Sequence, residues 1–293
     1  MLVHIKKIIA DAEKHGYAVG AFNVNNLEAV QAVLRAAEKL KSPVIIQTTE
    51  GAIKYAGLEE LVAIVKAAAK EVSVPVALHL DHGHDFALIK KCVQIGYSSV
   101  MIDGSVLPYA DNVTVTRRVV KYAHAHRVFV QAELGRLQGL EDWLKTGAKQ
   151  AFLTEPEEAE RFVAQTKVDA FAVAIGNYHG VEKVLKNKPL KLDLKRLEKI
   201  DKLVNVPLVL HGASGFSEAQ LKKAIKLGVR VINIDSDLRI AFVRAERTFL
   251  QENKNEYDPR RVLAPATEAM EKMVEKKMRI FGSEGRVKFE TRN

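Results

Sequence analysis

Cysteine is nearly absent: Cys92 is the single one in 293 residues, which rules out an internal disulfide and fits a reducing cytoplasm. It falls on the apolar side of a helical pattern and reads as a packed core residue. No uninterrupted apolar run approaches the ~18 residues of a membrane span. The first residues, MLVHIKKIIADAEKHG, lack the apolar core and small-residue cleavage site of a signal peptide. They read instead as a charged amphipathic helix with Leu2, Ile5, Ile8 and Ile9 on its apolar face. These absences give the expectation of a cytoplasmic protein with no membrane partner. A concentrated basic block is missing too. The formal charge of +9 comes from residues such as Lys222-Lys223 and Lys276-Lys277, scattered among glutamates on helix-like stretches and not interleaved with aromatics. That pattern reads as solvated helix faces and not as a nucleic-acid surface, and the positive excess suits a small phosphorylated substrate.

What is present is alternation. Short β-branched apolar runs at 18–24, 44–49, 76–80, 99–103, 128–134, 170–175, 208–210 and 231–234 make eight strand candidates. Between them, apolar positions recur at helical spacing over 26–40, 58–72, 86–95, 112–126, 156–165, 194–204, 217–227 and 237–252. Pro43, Pro75 and Pro207 each precede a strand, and Ser217 with Gln220 makes a capping box. Strands apolar throughout and joined by helices call for a parallel sheet covered on its outer face. Eight such units predict an α/β fold of the (β/α)8 TIM-barrel type, with an N-terminal helix and a C-terminal helical extension. An open doubly wound sheet is the alternative, but no GxGxxG follows the first strand. A barrel of about 250 residues counts as one domain, and with no linker or low-complexity segment, 1–293 reads as a single unit. The tail from Tyr257 opens on the turn Tyr257-Asp258-Pro259-Arg260 and continues as a helix over 264–281, placed to cap the barrel or to pack on a partner.

In such a barrel the active site lies at the C-terminal ends of the strands, and polar residues collect there. The successive strand ends carry Asn23 and Asn25, then Thr48-Thr49-Glu50, Asp81-His82, Asp103 and Glu133. They continue with Asn177 and His179, His211 and Ser214, and Asn233, Asp235 and Ser236. One histidine at a strand end is more often structural than a ligand. His82, His179 and His211 at the same level, with carboxylates beside them, reverse that preference and read as a catalytic zinc site with an open fourth position. Asp81 is either a base acting on something bound at the metal or a carboxylate orienting a histidine. His79, alternating with Asp81, reads as a supporting residue; His84 has no assignment, and His4, His15, His124 and His126 read as surface residues. Gly180, Gly212 and Gly215 with the Ser214 hydroxyl could cradle a phosphate, though glycine also serves ordinary turns.

At this point the chain resembles the class II, metal-dependent ketose-bisphosphate aldolases. The matching segments are AFNVNN at 21–26, TTEGA at 48–52, HLDHG at 79–83, MID at 101–103, AELGR at 132–136, GNYHG at 176–180, LHGASG at 210–215, NIDSD at 233–237 and YDPR at 257–260. The resemblance implies reversible cleavage of a ketohexose bisphosphate into dihydroxyacetone phosphate and glyceraldehyde 3-phosphate. It implies that His82, His179 and His211 hold Zn²⁺, that Asp81 deprotonates the C4 hydroxyl, and that Glu141 exchanges the proton at the enediolate carbon. Asp103 and Glu133 match positions that hold metal in an alternative, buried location, with room for a second divalent ion. The ketone-side phosphate would meet Gly180, Lys183, Gly212, Ser214, Asp235 and Ser236, with Na⁺ or K⁺ on the main-chain carbonyls of Tyr178, Gly180 and Gly212. Asn23, Thr49 and Asn233 would contact substrate, and Arg260 would bind the distal phosphate across the interface of a homodimer or homotetramer. Asp235-Ser236-Asp237 resembles the fructose-bisphosphate branch, with tagatose 1,6-bisphosphate the alternative substrate. Two departures are mild: Ala213 stands where glycine is common, and Thr49 where serine is frequent. The segment 140–151 also has little of the usual glycine enrichment.

Other classes remain to be distinguished. A zinc barrel hydrolase or deaminase would use the same ligands to activate water, and a non-catalytic metal-binding protein would show no turnover. A Schiff-base aldolase is disfavoured because no strand ends in lysine.

Overall fold

The structure, a computed structural model, describes residues 1–136, 138–140, 145–146, 152–186 and 190–287. Eight strands form the barrel: β1 (Val19–Asn23), β2 (Val44–Thr48), β3 (Val76–Gly83), β4 (Ser99–Ile102), β5 (Phe129–Leu134), β6 (Ala170–Val173), β7 (Leu208–Leu210) and β8 (Val229–Ile234). Each pairs in parallel with its neighbours in chain order, and β8 closes on β1. The predicted (β/α)8 barrel is therefore present, wrapped by helices.

Strand periodicity explains how the site is placed. Side chains alternate between the two faces of a strand. One face carries Phe22, Ile46, Leu78, Val130, Phe171, Leu210 and Ile232 into the layer under the outer helices. The other carries Val19, Ala21, Ile45, Ala77, Phe129, Ala170, Ala172, Val209 and Val231 into the barrel, where they pack on Ile5, Ile8, Ile9 and Ala12 of the N-terminal helix Ile5–His15. That helix plugs the N-terminal end. Two residues further along the same inward face, the chemistry changes: Asn23, Gln47, His79, Gln131, His211 and Asn233, and, after two more, Asp81 and Glu133. An apolar floor thus carries a polar upper layer at the C-terminal ends of the strands.

Several elements differ from the sequence reading. β8 begins at Val229, two residues before the apolar run suggested, because Arg230 turns its guanidinium onto the carbonyls of Ile225 and Val229. β3 extends through Gly83, with a register shift against β4 after Leu80. The helices Glu50–Ala56 and Val181–Leu185 are too short to show a period. A small sheet joins Gln138–Leu140, Lys145–Thr146 and Tyr178–His179. The C-terminal helix runs from Pro259 to Phe281, starting earlier than expected because Asp258 caps it and Pro259 fits its first turn. It lies along the outer helices Leu27–Leu40 and Ser236–Glu252. Lys277 on it is not solvated, as its lysine-rich setting suggested: it is buried and pairs with Asp237 at 2.5 Å. Cys92 is buried in the core, and no described helix is long and apolar enough to cross a membrane.

Candidate active site

The three histidines predicted to share a metal come together. One ring nitrogen from each of His82, His179 and His211 lies within 4.8 Å of the other two. His82 Nδ1 donates to Asp103 Oδ2 at 2.7 Å, so its lone pair is on Nε2. The Gln131 amide stands 2.6 Å from His211 Nε2, and His211 Nδ1 faces His82 Nε2 at 2.9 Å. The amide nitrogens of Gln131 and Asn233 both point at His211 Nε2, which therefore accepts, so the His211 proton lies on Nδ1 and is donated to His82 Nε2; a cation between the two rings would take the place of that proton. Burial first, then the neighbouring His82, holds His179 and His211 well below the ordinary imidazole pKa. Both are thereby kept neutral, the form that ligates metal. The donor set fits a divalent ion of the zinc type. His82, Asp103 and Glu133 form a second convergent group, also within 4.8 Å and buried.

Asp81 and His82 are consecutive, and strict alternation would point them to opposite faces. They face the same pocket because His82 adopts a left-handed backbone, φ 47°, at the irregularity in β3. Asp81 Oδ1 is consequently 3.9 Å from His82 Nε2 and 4.0 Å from His211 Nδ1. Three amides fix the carboxylate: Asn23 and Gln47 donate to Oδ2 at 2.8 and 3.0 Å, and Asn233 to Oδ1 at 3.1 Å. Gln47 also donates to Asn23 Oδ1 at 2.7 Å.

Around this centre His79 is buried and pushed down to about 3 by burial and by His82, so it stays neutral against Ser99 Oγ at 2.8 Å. His84 behaves oppositely. Burial would lower it, but Asp103 and Glu50 raise it to about 9, and it lies 3.6 Å from Asp103 and 3.8 Å from Glu50. Asp103 itself is held well below the carboxylate range: its burial opposes this, and the bonds from His82 and His84 override it.

The candidate phosphate cradle lies beside the histidines. Gly212 has φ 55°, and a Cβ there would come within 2.7 Å of the Tyr178 carbonyl oxygen, so only glycine lets these two segments approach. Asn177 braces them, donating to the carbonyls of Val173 and His211 at 3.0 Å. Ser214 and Ser236 are buried, and Ser214 Oγ accepts from Asp237 N. Asp237 accepts from Gly215 N at 3.3 Å and is paired with Lys277, so its carboxylate steadies the loop. Lys183 is buried, and its ammonium meets the carbonyls of Tyr178 and Gly212. Burial brings its pKa down to about 7; Asp237 pulls it up, Lys277 pushes it further down, and Asp235 pulls it up again.

Other predicted residues sit at the margin. Thr49 caps the helix Glu50–Ala56, its hydroxyl accepting from Ala52 N at 3.1 Å. Asp235 pairs with Arg239 at 2.7 Å. Arg260, with its side chain 89% exposed, pairs with Asp258 at 2.8 Å and is not part of the buried cluster. Glu141 lies outside the described residues, but residues 138 and 139 pair in parallel with Tyr178 and His179, which ties the segment leading to it to a metal-ligand candidate. The sequence reading missed Gln47, Gln131 and Lys277. The signal for the two glutamines was available as an amide at inward parity in an otherwise apolar strand.

Comparison with known proteins agrees with this geometry. Residues 3–286 match the family described as Fructose-bisphosphate aldolase class-II. A fructose-bisphosphate aldolase from Thermus caldophilus is 47% identical, the match covering 98% of this chain and all of the relative. Among solved structures, a putative fructose-1,6-biphosphate aldolase from Coccidioides immitis superposes with TM-score 0.87 at 34% identity, over 97% of this chain and 98% of its own. The YdjI aldolase from Escherichia coli K12 gives TM-score 0.82 at 32% identity, over 98% of this chain and all of its own. The chain, with its parallel barrel and three-histidine centre, belongs to the class II fructose-bisphosphate aldolase family.

Proposed function

We propose that this chain catalyses the reversible, metal-dependent aldol cleavage of fructose 1,6-bisphosphate to dihydroxyacetone phosphate and glyceraldehyde 3-phosphate. The observation that carries the reading is the Asp81 carboxylate, oriented by three amides and about 4 Å from nitrogens of His82 and His211. His82, His179 and His211 would hold Zn²⁺, which when bound supplies Lewis-acid polarisation of the substrate carbonyl. Asp81 takes the C4 hydroxyl proton as the C3–C4 bond breaks, the bond pair moving toward the C2 carbonyl and the aldehyde departing. In condensation Asp81 returns that proton to the aldehyde oxygen. Glu141 exchanges the proton at the carbon left behind. Asn23, Thr49 and Asn233 contact the sugar. Gly180, Lys183, Gly212, Ser214, Asp235 and Ser236 receive the ketone-side phosphate, with Asp237 supporting their loop. Asp103 and Glu133 form the buried alternative metal position.

The reading extends to the whole protein as one aldolase domain in the cytoplasm. It is completed by a homodimer or homotetramer in which the exposed Arg260 reaches the distal phosphate in a neighbouring subunit. Asp235-Ser236-Asp237 favours the fructose epimer. Steady-state kinetics on both epimers test this: kcat/KM for fructose 1,6-bisphosphate is expected to exceed that for tagatose 1,6-bisphosphate by about tenfold or more. Equal or reversed values would overturn the fructose assignment.

A further inference from the structure

We propose that Lys277, on the C-terminal helix, is a positioning residue for the phosphate end of the site: its buried ammonium neutralises and fixes Asp237, which in turn holds the loop after β7. The inference rests on reading that loop as part of the phosphate cradle, and it adds a residue from outside the eight strand–helix units. Along the helix Pro259–Phe281, Met270, Val274, Met278 and Phe281 recur at helical spacing and belong to the main apolar core. Lys277 stands in the middle of that stripe and is buried, whereas the adjacent Lys276 is exposed. Asp237, itself buried, is its one carboxylate partner among the described residues.

An ammonium in an apolar stripe is costly unless its charge is matched, and an apolar side chain would pack there without that cost. Stability of the helix alone therefore does not account for a lysine at this position. Its purpose is visible at the other end of the pair. Asp237 Oδ2 accepts from Gly215 N at 3.3 Å, and Asp237 N donates to Ser214 Oγ at 3.2 Å, so one residue clasps two consecutive residues of the loop. Left unmatched, that carboxylate would meet an incoming phosphate with like charge. Lys277 cancels the repulsion and leaves the carboxylate in place to hold Gly215. Lys183, at the cradle, registers both members of the pair: after burial, which lowers its pKa, Asp237 raises it and Lys277 lowers it.

Calorimetric binding of inorganic phosphate to the zinc-loaded protein tests this role apart from turnover. Lys277→Met leaves Asp237 charged and unmatched. It should weaken phosphate binding about fivefold or more and raise KM by a similar factor, with kcat held within about twofold. Lys277→Arg should bind phosphate within about twofold of the unmodified protein, and so should the charge-neutral combination of Lys277→Met with Asp237→Asn. Asp237→Asn alone, which keeps an oxygen for Gly215 N, should bind phosphate at least as tightly as the unmodified protein. A purely structural pair would lower the melting temperature of Lys277→Met and leave its phosphate Kd unchanged, and that result would overturn the proposal. So would a double variant as weak as Lys277→Met, or an unmodified protein that binds no phosphate. If Lys277→Met does not fold, the double variant and Asp237→Asn still decide, since binding weakened more than about fivefold in either contradicts the assignment. Failure of the aldolase reading would appear differently, as absent turnover in a protein whose variants bind phosphate in the expected order.

Discussion

The proposed role of Asp81 as base requires its carboxylate to be held against the histidines, and Asn23, Gln47 and Asn233 do the holding. Replacing Asp81 with alanine should lower kcat by about 10² to 10⁴-fold, the range of general acid–base contributions. Zinc content should be unchanged, since Asp81 belongs to neither convergent ligand group. Kinetics paired with metal analysis check this, and a variant that keeps its kcat would remove Asp81 from the chemistry. Gln47→Leu removes the bonds to both Asn23 and Asp81 and should reduce kcat about tenfold through lost orientation, with KM little altered. A change confined to KM would assign Gln47 to substrate binding instead. Asp81 and the histidines were legible because ionisable groups stand out in apolar strands. Gln47 and Gln131 carried the same positional signal, but an amide has no titration chemistry to single it out. Their role depends on which neighbours the barrel closure brings opposite them, and that is a tertiary fact.

At the scale of elements, the ends of β2, β3 and β4 are joined by charge. Glu50, just past β2, accepts from the backbone N–H groups of His84 and Asp85 at 2.7 and 2.9 Å, while His84 lies between Glu50 and Asp103. Burial alone would raise Glu50, yet hydrogen bonds from the His84 side chain and from the Asp85 and His84 amides lower it from 4.5 to about 2. A carboxylate depressed on folding contributes stability that is present in full above its unfolded pKa and is lost as pH falls toward the folded value. Because the group is partly exposed, solvent screening reduces the contribution to about 1–2 kcal/mol. In urea unfolding, Glu50→Gln should be destabilised by that amount at pH 7, and the gap should narrow below about pH 4.5. A gap that stays constant down to pH 3 would mean the charge does not matter. Most strands and long helices were readable from periodicity. The left-handed turn at His82 was not, because histidine does not advertise a positive φ as glycine does. The sequence alone therefore separated Asp81 from His82, whereas the bulge unites them.

Across the whole molecule, the barrel divides into an apolar floor closed by the N-terminal helix and a polar layer at the opposite end. The alternation of strands and helices made the closed barrel legible. The amphipathic face of the N-terminal helix was legible too, but its destination was not, since that depends on the small and branched residues Ala21, Ala77, Ala170 and Val231 leaving a floor for it. The C-terminal helix was expected either to cap the barrel or to meet a partner. It lies along the barrel wall, where Lys39–Glu275 and Lys277–Asp237 fasten it, the latter beside the candidate phosphate cradle. The histidine cluster is proposed to hold the metal on which cleavage depends. Its most direct test is the rate of fructose 1,6-bisphosphate cleavage by the purified protein before EDTA treatment, after it, and during titration with Zn²⁺. Activity should disappear with the metal and return in proportion to zinc bound, reaching its plateau at about one equivalent per chain. Cleavage that survives complete removal of metal, or a folded and zinc-loaded protein that cleaves nothing, would contradict the account.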